Sequence, residues 1–170
     1  MAATITGDQT GTVGLINAKT VVVSTSGTSI DFTGIPAGVK RITVMFAGVS
    51  TSGTIVPLVQ LGSSGGIETS GYLGCGGYTQ NAGASGAGNY TNGFGVSGAN
   101  SAASVYHGHV VLTYLGTSNT WIASGVLARS DAAVITSVAG SKSLSGTLDR
   151  VRITCAADTF DAGSINILYE

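Results

Sequence analysis

The segment "LDRVRITC" (148–155) decides the fold class. Val151, Ile153 and Cys155 fall on one side of an extended chain, and Arg150, Arg152 and Thr154 on the other. Successive strand side chains point to opposite faces, so this alternation reads as a strand with one buried face. Similar β-branched runs lie upstream: "KTVVVS" (19–24), "TSIDFT" (28–33) and "KRITVMFAGV" (40–49), separated by "TSG" and "PAG" turn residues. "GTIVPLVQLG" (53–62) contains Pro57, which has no N–H for a ladder and predicts an edge strand or a bulge there. Downstream, "SVYHGHVVLTYLG" (104–116) and "NTWIASGVLA" (119–128) predict a hairpin turning at "GTSN". "AAVITSVAG" (132–140) and "GSINILYE" (163–170) complete the set.

Helical spacing is nearly absent, because Gly or β-branched residues interrupt every candidate window. About ten short strands with frequent turn signals therefore predict an all-β fold, an antiparallel β-sandwich of jelly-roll type with no substantial helix. An N-terminal arm and first strand are expected over 1–24, and a single β-sandwich domain over 25–170. The predicted core is Ile42, Val44, Phe46, Val110, Leu112, Trp121, Val151, Ile153, Ile165 and Ile167.

Composition narrows the function. Only 9% of the 170 residues are charged, against about 25% in an average domain, and 27 are glycine. The net charge is −1 and the seven Lys and Arg are scattered, which argues against a nucleic-acid partner. No apolar run approaches the roughly 20 residues of a membrane-spanning helix. The start, "MAATITGDQTGTVG", has neither a basic nor an apolar signal region, so Cys75 and Cys155 are expected as free thiols made in a reducing cytosol. Many strands with so little charge leave edges that would aggregate unless covered, which predicts a symmetric homo-oligomer.

The least strand-like stretch is "GYLGCGGYTQNAGASGAGNYTNGFGVSGAN" (71–100), the centre of a glycine-rich region read as a loop over 62–103. Its "GFGVSG" (93–98) satisfies G-x-G-x-x-G, but no helix signal follows and no acid stands about 20 residues on, so dinucleotide binding is rejected. No "GK[ST]" occurs either. Tyr72, Tyr78, Tyr90 and Phe94, with the amides of Asn81, Asn89 and Asn92, make the mixture that suits adaptable recognition and stacking on sugar rings. The plainer alternative is a packed or solvated loop. His107 and His109 stand two apart on a predicted strand, a spacing for two imidazole ligands that a threefold axis would multiply; solvated or structural histidines are the simpler reading.

Signs of catalysis are few. The acids Asp8, Asp31, Glu68, Asp131, Asp149, Asp158, Asp161 and Glu170 mostly flank turns, no "GxSxG" occurs, and neither cysteine has a basic neighbour in sequence. No catalytic residue, no cofactor and no enzymatic activity are expected. The sequon "NYT" (89–91) has no meaning without export.

Three runs together, "IDFTGIPAGVKRITVMFAGVSTSGT" (30–54), "VQLGSSGGIETSGY" (59–72) and "SGTLDRVRITCAADTFDAGSINILYE" (145–170), resemble the C-terminal, distal domain of tail-fibre and tailspike proteins of tailed bacteriophages. The similarity runs from about residue 25 to the end. It implies a β-sandwich-like virion component, usually trimeric, exposed at the far end of a fibre. In this reading the chain meets the bacterial surface, a glycan, through residues 62–103, and its other partners are virion proteins. Family members carry a long fibre ahead of this module, whereas here Met1 precedes it by a short arm. The expectation is either a trimmed chain or a small stand-alone virion protein. The second case suggests the alternative of a capsid decoration protein, and a polysaccharide-degrading spike is the third reading.

Overall fold

The structure, a computed structural model, describes residues 16–170; the expected N-terminal arm before residue 16, with Asp8, lies outside the described residues. The chain forms a β-sandwich of two antiparallel sheets. The larger, nine-stranded sheet contains β1 (Asn17–Ala18), β2 (Val22–Val23), β4 (Arg41–Thr51), β7 (Tyr72–Gln80), β8 (Ser85–Tyr90), β10 (Tyr106–Tyr114), β11 (Thr120–Arg129), β12 (Val134–Ser143) and β14 (Phe160–Tyr169). Their order is β1-β14-β4-β10-β11-β12-β7-β8, with β2 beside β1 on the outer edge of β14. The five-stranded sheet contains β3 (Ser29–Thr33), β5 (Leu58–Ser63), β6 (Gly66–Ile67), β9 (Phe94–Gly95) and β13 (Leu148–Thr154). The helical content of the described residues is one 3-10 turn, Asn81–Gly83, and no helix is long and apolar enough to cross a membrane.

The alternation read from 148–155 is realised in β13, which lies between β3 and β5. Val151, Ile153 and Cys155 have no exposed surface, whereas Arg152 on the other face grips Asp31 of β3 through two bonds of 2.6 and 2.7 Å. All ten predicted core residues are buried in one cluster between the sheets. The expected hairpin is β10–β11, paired over nine residues from Tyr106↔Arg129 to Tyr114↔Trp121.

Two expectations are corrected. Pro57 neither bulges a strand nor marks an edge. It immediately precedes β5, whose far side is paired by β6 and β9 in tandem. The glycine-rich region is no loop: β6, β7, β8 and β9 all fall within 62–103. β7 pairs with β12 along its nine residues and with β8 over six, extending the large sheet beyond the strands predicted from the sequence.

Glycine is what permits this extension. The inner positions of the β7–β8 hairpin are Gly74, Gly76, Gly86 and Gly88, with Tyr78 and Tyr90 among them. A Cβ on Gly86 would lie 2.7 Å from the Tyr78 ring, and one on Gly95 would lie 2.5 Å from the Tyr90 ring. The Tyr90 hydroxyl donates to the Ser97 carbonyl at 2.7 Å. A Cβ on Gly76 would press on the Gly95 carbonyl and lie 2.5 Å from that of Ser97. The backbone of 95–97 thus lies directly against the backbone of β7.

This contrast between faces is testable at adjacent residues. Gly76→Ala should destabilise the protein by about 1–3 kcal/mol, because the methyl meets backbone that cannot swing aside. On the opposite face a Cβ at Gly77 has its nearest neighbour at 3.4 Å. Gly77→Ala should therefore change stability by no more than about 0.5 kcal/mol. Equal effects of the two in urea denaturation would contradict this account.

Candidate functional site

A hollow of about 510 Å³ lies at the margin of the big sheet, where β8 ends and β7 continues beyond it. Cross-strand pairing sets its composition. Cys75 stands between Asn89 of β8 and Ala139 of β12, a single row on the outer face, and Leu73 occupies the next outward position of β7. Gly74, Gly140, Tyr90 and Thr91 complete the lining, with an edge of Tyr72. No lining residue is a carboxylate, histidine or cation. Leu73 is 76% exposed although it is a large apolar side chain. The arrangement offers aliphatic and aromatic surface, one free-standing amide and one thiol. It can hold an uncharged amphipathic group such as the C–H face and hydroxyls of a sugar, and it contains no acid–base pair.

The residues singled out from the sequence separate into three groups. Tyr72 and Phe94 are core: their rings meet edge to face at 5.0 Å and both are buried. The Tyr72 hydroxyl accepts from Leu61 N–H at 2.7 Å and lies 3.0 Å from the Glu68 carbonyl. They are therefore not contact residues. Asn89 and Tyr90 do reach the hollow, Asn89 exposed and Tyr90 half-buried; burial pushes the Tyr90 hydroxyl above the ordinary tyrosine value. Tyr78, Asn81 and Asn92 lie outside it: Tyr78 covers Gly86, Asn81 begins the 3-10 turn, and the Asn92 carbonyl accepts from Gln60 at 2.7 Å. Leu73, Cys75 and Ala139 were missed. With Tyr72 inward, period two alone would place Leu73 and Cys75 outward.

His107 and His109 share the outer face of β10, both exposed, as the spacing predicts. His107 Nδ1 accepts from Gly48 N–H at 3.2 Å and Nε2 lies 3.1 Å from Ser130 Oγ, so both ring nitrogens are engaged. Among the described residues no group of three or more His, Cys, Asp or Glu could hold a metal ion.

Behind the hollow runs a polar clamp. Lys142, buried on β12, pairs with Glu68 and sits 5.5 Å from the Tyr72 ring centroid. Glu68 also accepts from the Ser145 N–H at 2.8 Å and its hydroxyl at 2.7 Å. Burial pushes the Glu68 carboxyl up, but the bonds from Lys142 and Ser145 outweigh it and hold the group below its ordinary value. At the opposite margin Arg129 bonds Asp131 and holds that carboxyl low.

No protein-family model, curated protein or solved structure matches the chain.

Two measurements check this chemistry. Burial, with the nearby charges of Asp158 and Asp161, pushes the Cys155 thiol up to about 11, and its Sγ donates to the Asp158 carbonyl at 3.0 Å. Cys75 is exposed. A thiol reagent at neutral pH should titrate one cysteine in the native protein and two after denaturation, and Cys75→Ser should abolish the native reaction.

The lowered Glu68 and Asp131 carboxyls contribute stability that is fully present above the unfolded values of about 4. That contribution is lost as pH falls through the still lower folded values. The urea midpoint should hold steady from about pH 7 to 5 and drop below about pH 4, and Glu68→Gln should flatten the drop. A midpoint that rises on acidification would contradict it.

Proposed function

We propose that this chain is a bacteriophage virion protein of tail-fibre type that recognises a saccharide of the bacterial host surface and acts as a homotrimer. The observation that carries this reading is the uncharged hollow of about 510 Å³ with Asn89 on its rim. An open concavity built from apolar surface and an amide suits binding without turnover. The state of the acids supports the same view. Among the described residues Asp31, Glu68, Asp131, Asp149 and Glu170 are ion-paired, while Asp158 accepts from Ile55 N–H and Asp161 from the Ser50 hydroxyl. Among the described residues every carboxylate is thus engaged, which weighs against a polysaccharide-degrading enzyme.

Assembly is supported by the outer face of the large sheet. Ile122 and Val126 of β11, Ile135 of β12 and Leu73 of β7 are exposed on three neighbouring strands, Val126 by 55% and Ile135 by 53%. Serines 124, 137 and 141 lie among them, and no charged side chain interrupts the patch. Apolar patches of this kind mark interfaces. In a homotrimer built through it the hollow opens at the seam between copies. The same patch also suits a capsid decoration protein, whose contacts are with virion neighbours.

Asn89 and Thr91 are exposed in the hollow and stand apart from the Ile122–Val126–Ile135 patch, so they can be changed without touching assembly. Asn89→Ala combined with Thr91→Ala should lower binding of the labelled protein to host cells by about tenfold or more, with the unfolding midpoint and the oligomeric state unchanged. Unaltered adsorption would remove the hollow from receptor recognition. Particle images with the chain confined to the capsid would favour the decoration reading.

A further inference from the structure

The seven cations of the chain are all among the described residues, and their partners differ in one respect. Arg41, Arg129, Lys142, Arg150 and Arg152 each face a carboxylate. Lys19 donates to the Gly34 carbonyl at 3.0 Å. Lys19 likewise has no carboxylate partner and lies 5.7 Å from the Tyr169 ring centroid, but its ammonium is engaged by that carbonyl. Among the described residues the Lys40 ammonium meets neither a carboxylate nor a hydrogen-bond acceptor; it lies 4.4 Å from the centroid of the Tyr114 ring. In a chain so poor in charge, an exposed cation with no acceptor of its own, held against an aromatic ring, is an attractor for an anion.

Lys40 stands at a second hollow of about 240 Å³, at the end of the sandwich where the connections β3–β4, β10–β11 and β12–β13 meet. Tyr114, half-buried, forms its aromatic wall and is backed by the core residue Trp121, 3% exposed, with ring centroids 5.6 Å apart and planes inclined by 47°. Asn119 and Thr147 bring the polar groups. Among the described residues neither the Asn119 amide nor the Thr147 hydroxyl makes a hydrogen bond. The turn that presents Asn119 is unusual. Ser118 and Asn119 both adopt positive φ, 54° and 48°, and Thr120 N–H closes the turn on the Thr117 carbonyl at 3.1 Å. This is the hairpin geometry that favours Asn-Gly, adopted here by two residues with side chains, one of them serine. The backbone tolerates a disfavoured conformation where it sets the rim of the hollow.

We propose that this hollow binds one acidic monosaccharide unit: Lys40 holds the carboxylate, the half-buried Tyr114 ring, backed by Trp121, takes a C–H face of the sugar, and Asn119 with Thr147 bond its hydroxyls. A single lysine matches the single charge of a uronate-type carboxylate better than a doubly charged phosphate, for which no arginine is present in the lining. The aromatic wall and the amide favour a sugar over a bare acidic side chain. The inference takes its ligand class from the saccharide reading above but concerns a different hollow and different residues.

Trp121 is the sole tryptophan of the chain, so intrinsic fluorescence reports on this hollow directly. The full-length protein should be titrated with short oligomers of galacturonate, glucuronate and N-acetylneuraminate, and with glucose and galactose oligomers as neutral counterparts. A saturable change with at least one acidic oligomer and none with the neutral ones is expected. Lys40→Met, which keeps the apolar stem over Tyr114, should weaken that binding by roughly tenfold or more, and Asn119→Gly, which keeps the turn, should weaken it as well. Both variants should retain the wild-type circular dichroism and unfolding midpoint.

Absence of a saturable change with all three acidic oligomers would overturn the proposal, as would equal binding by Lys40→Met. Equally tight binding of a short polyglutamate peptide would overturn the sugar assignment. Host-cell binding that survives Lys40→Met but is lost with Asn89→Ala and Thr91→Ala would reject this site and leave the receptor reading intact. The converse pattern would reject the first hollow and keep this one.

Discussion

The sandwich depends on a place where backbone meets backbone without side chains between. Facing sheets ordinarily sit about 10 Å apart because two layers of side chains separate them. At β7 that spacing collapses: Gly76 lies under the carbonyls of Gly95 and Ser97, and Gly98 lies under the backbone of Gly86 and Ala87. Segment 93–98 belongs to the small sheet through the pairing of β9 with β5, yet it touches the inner face of the large one. It therefore acts as the closure between the layers, anchored by Phe94 against Tyr72 and by the Tyr90–Ser97 bond. A Cβ at any of these contacts would push the layers apart and open the core beside Phe94. The absence of side chains here carries as much structural information as their presence does in β13.

That absence also explains what was legible in the sequence. β13, β4 and β10 announce themselves because large apolar residues alternate with polar ones, and the core built from them, from Ile42 to Ile167, follows directly. β7 and β8 show no such alternation. Their inner positions alternate tyrosine with runs of glycine, which leave no aliphatic signal, and apart from Leu73 and Asn89 their outer positions are small. The backbone hydrogen bonds that make them strands are invisible in residue chemistry. The same blindness misplaced Tyr72 and Phe94. An aromatic among glycines reads as a free recognition group, but here the glycines are the space into which the aromatic rings fit. Asn89 was found because an exposed amide beside a tyrosine carries its own signal; Leu73 was not, because its exposure follows from the register of an unrecognised strand.

Charge is distributed with similar economy. The ion pairs stand at strand ends and rims, as with Arg41–Glu170 and Arg129–Asp131, or on the outer face of the small sheet, as with Arg152–Asp31. The central outer face of the large sheet has none. A broad surface of Ile, Val, Ala and Ser is not kept from association by charge repulsion, which is the physical ground on which the proposal of assembly rests. The edges point the same way: β8 at one margin is short and glycine-rich, and β1 and β2 at the other are two-residue strands.

The two hollows are linked by a row of side chains that crosses the large sheet near one end. Lys40 contacts Tyr114; Tyr114 pairs across the strands with Trp121, Trp121 with Lys142, and Lys142 with Tyr72 at the first hollow. A cation against a ring stands at each end of it, with Lys142 contacting the Tyr72 ring as Lys40 contacts that of Tyr114. The difference between the two lysines is decisive. Lys142 is buried and neutralised by Glu68, so it stiffens the sheet and offers nothing outward. Lys40 is exposed and unneutralised, so the same contact becomes a point of attraction. Four strand spacings of about 4.8 Å separate the ends of the row by about 19 Å. On the two saccharide proposals, the Lys40 end would take a charged sugar and the uncharged hollow a neutral one, and a glycan that carried both and reached both would gain affinity from linked sites without any new contact.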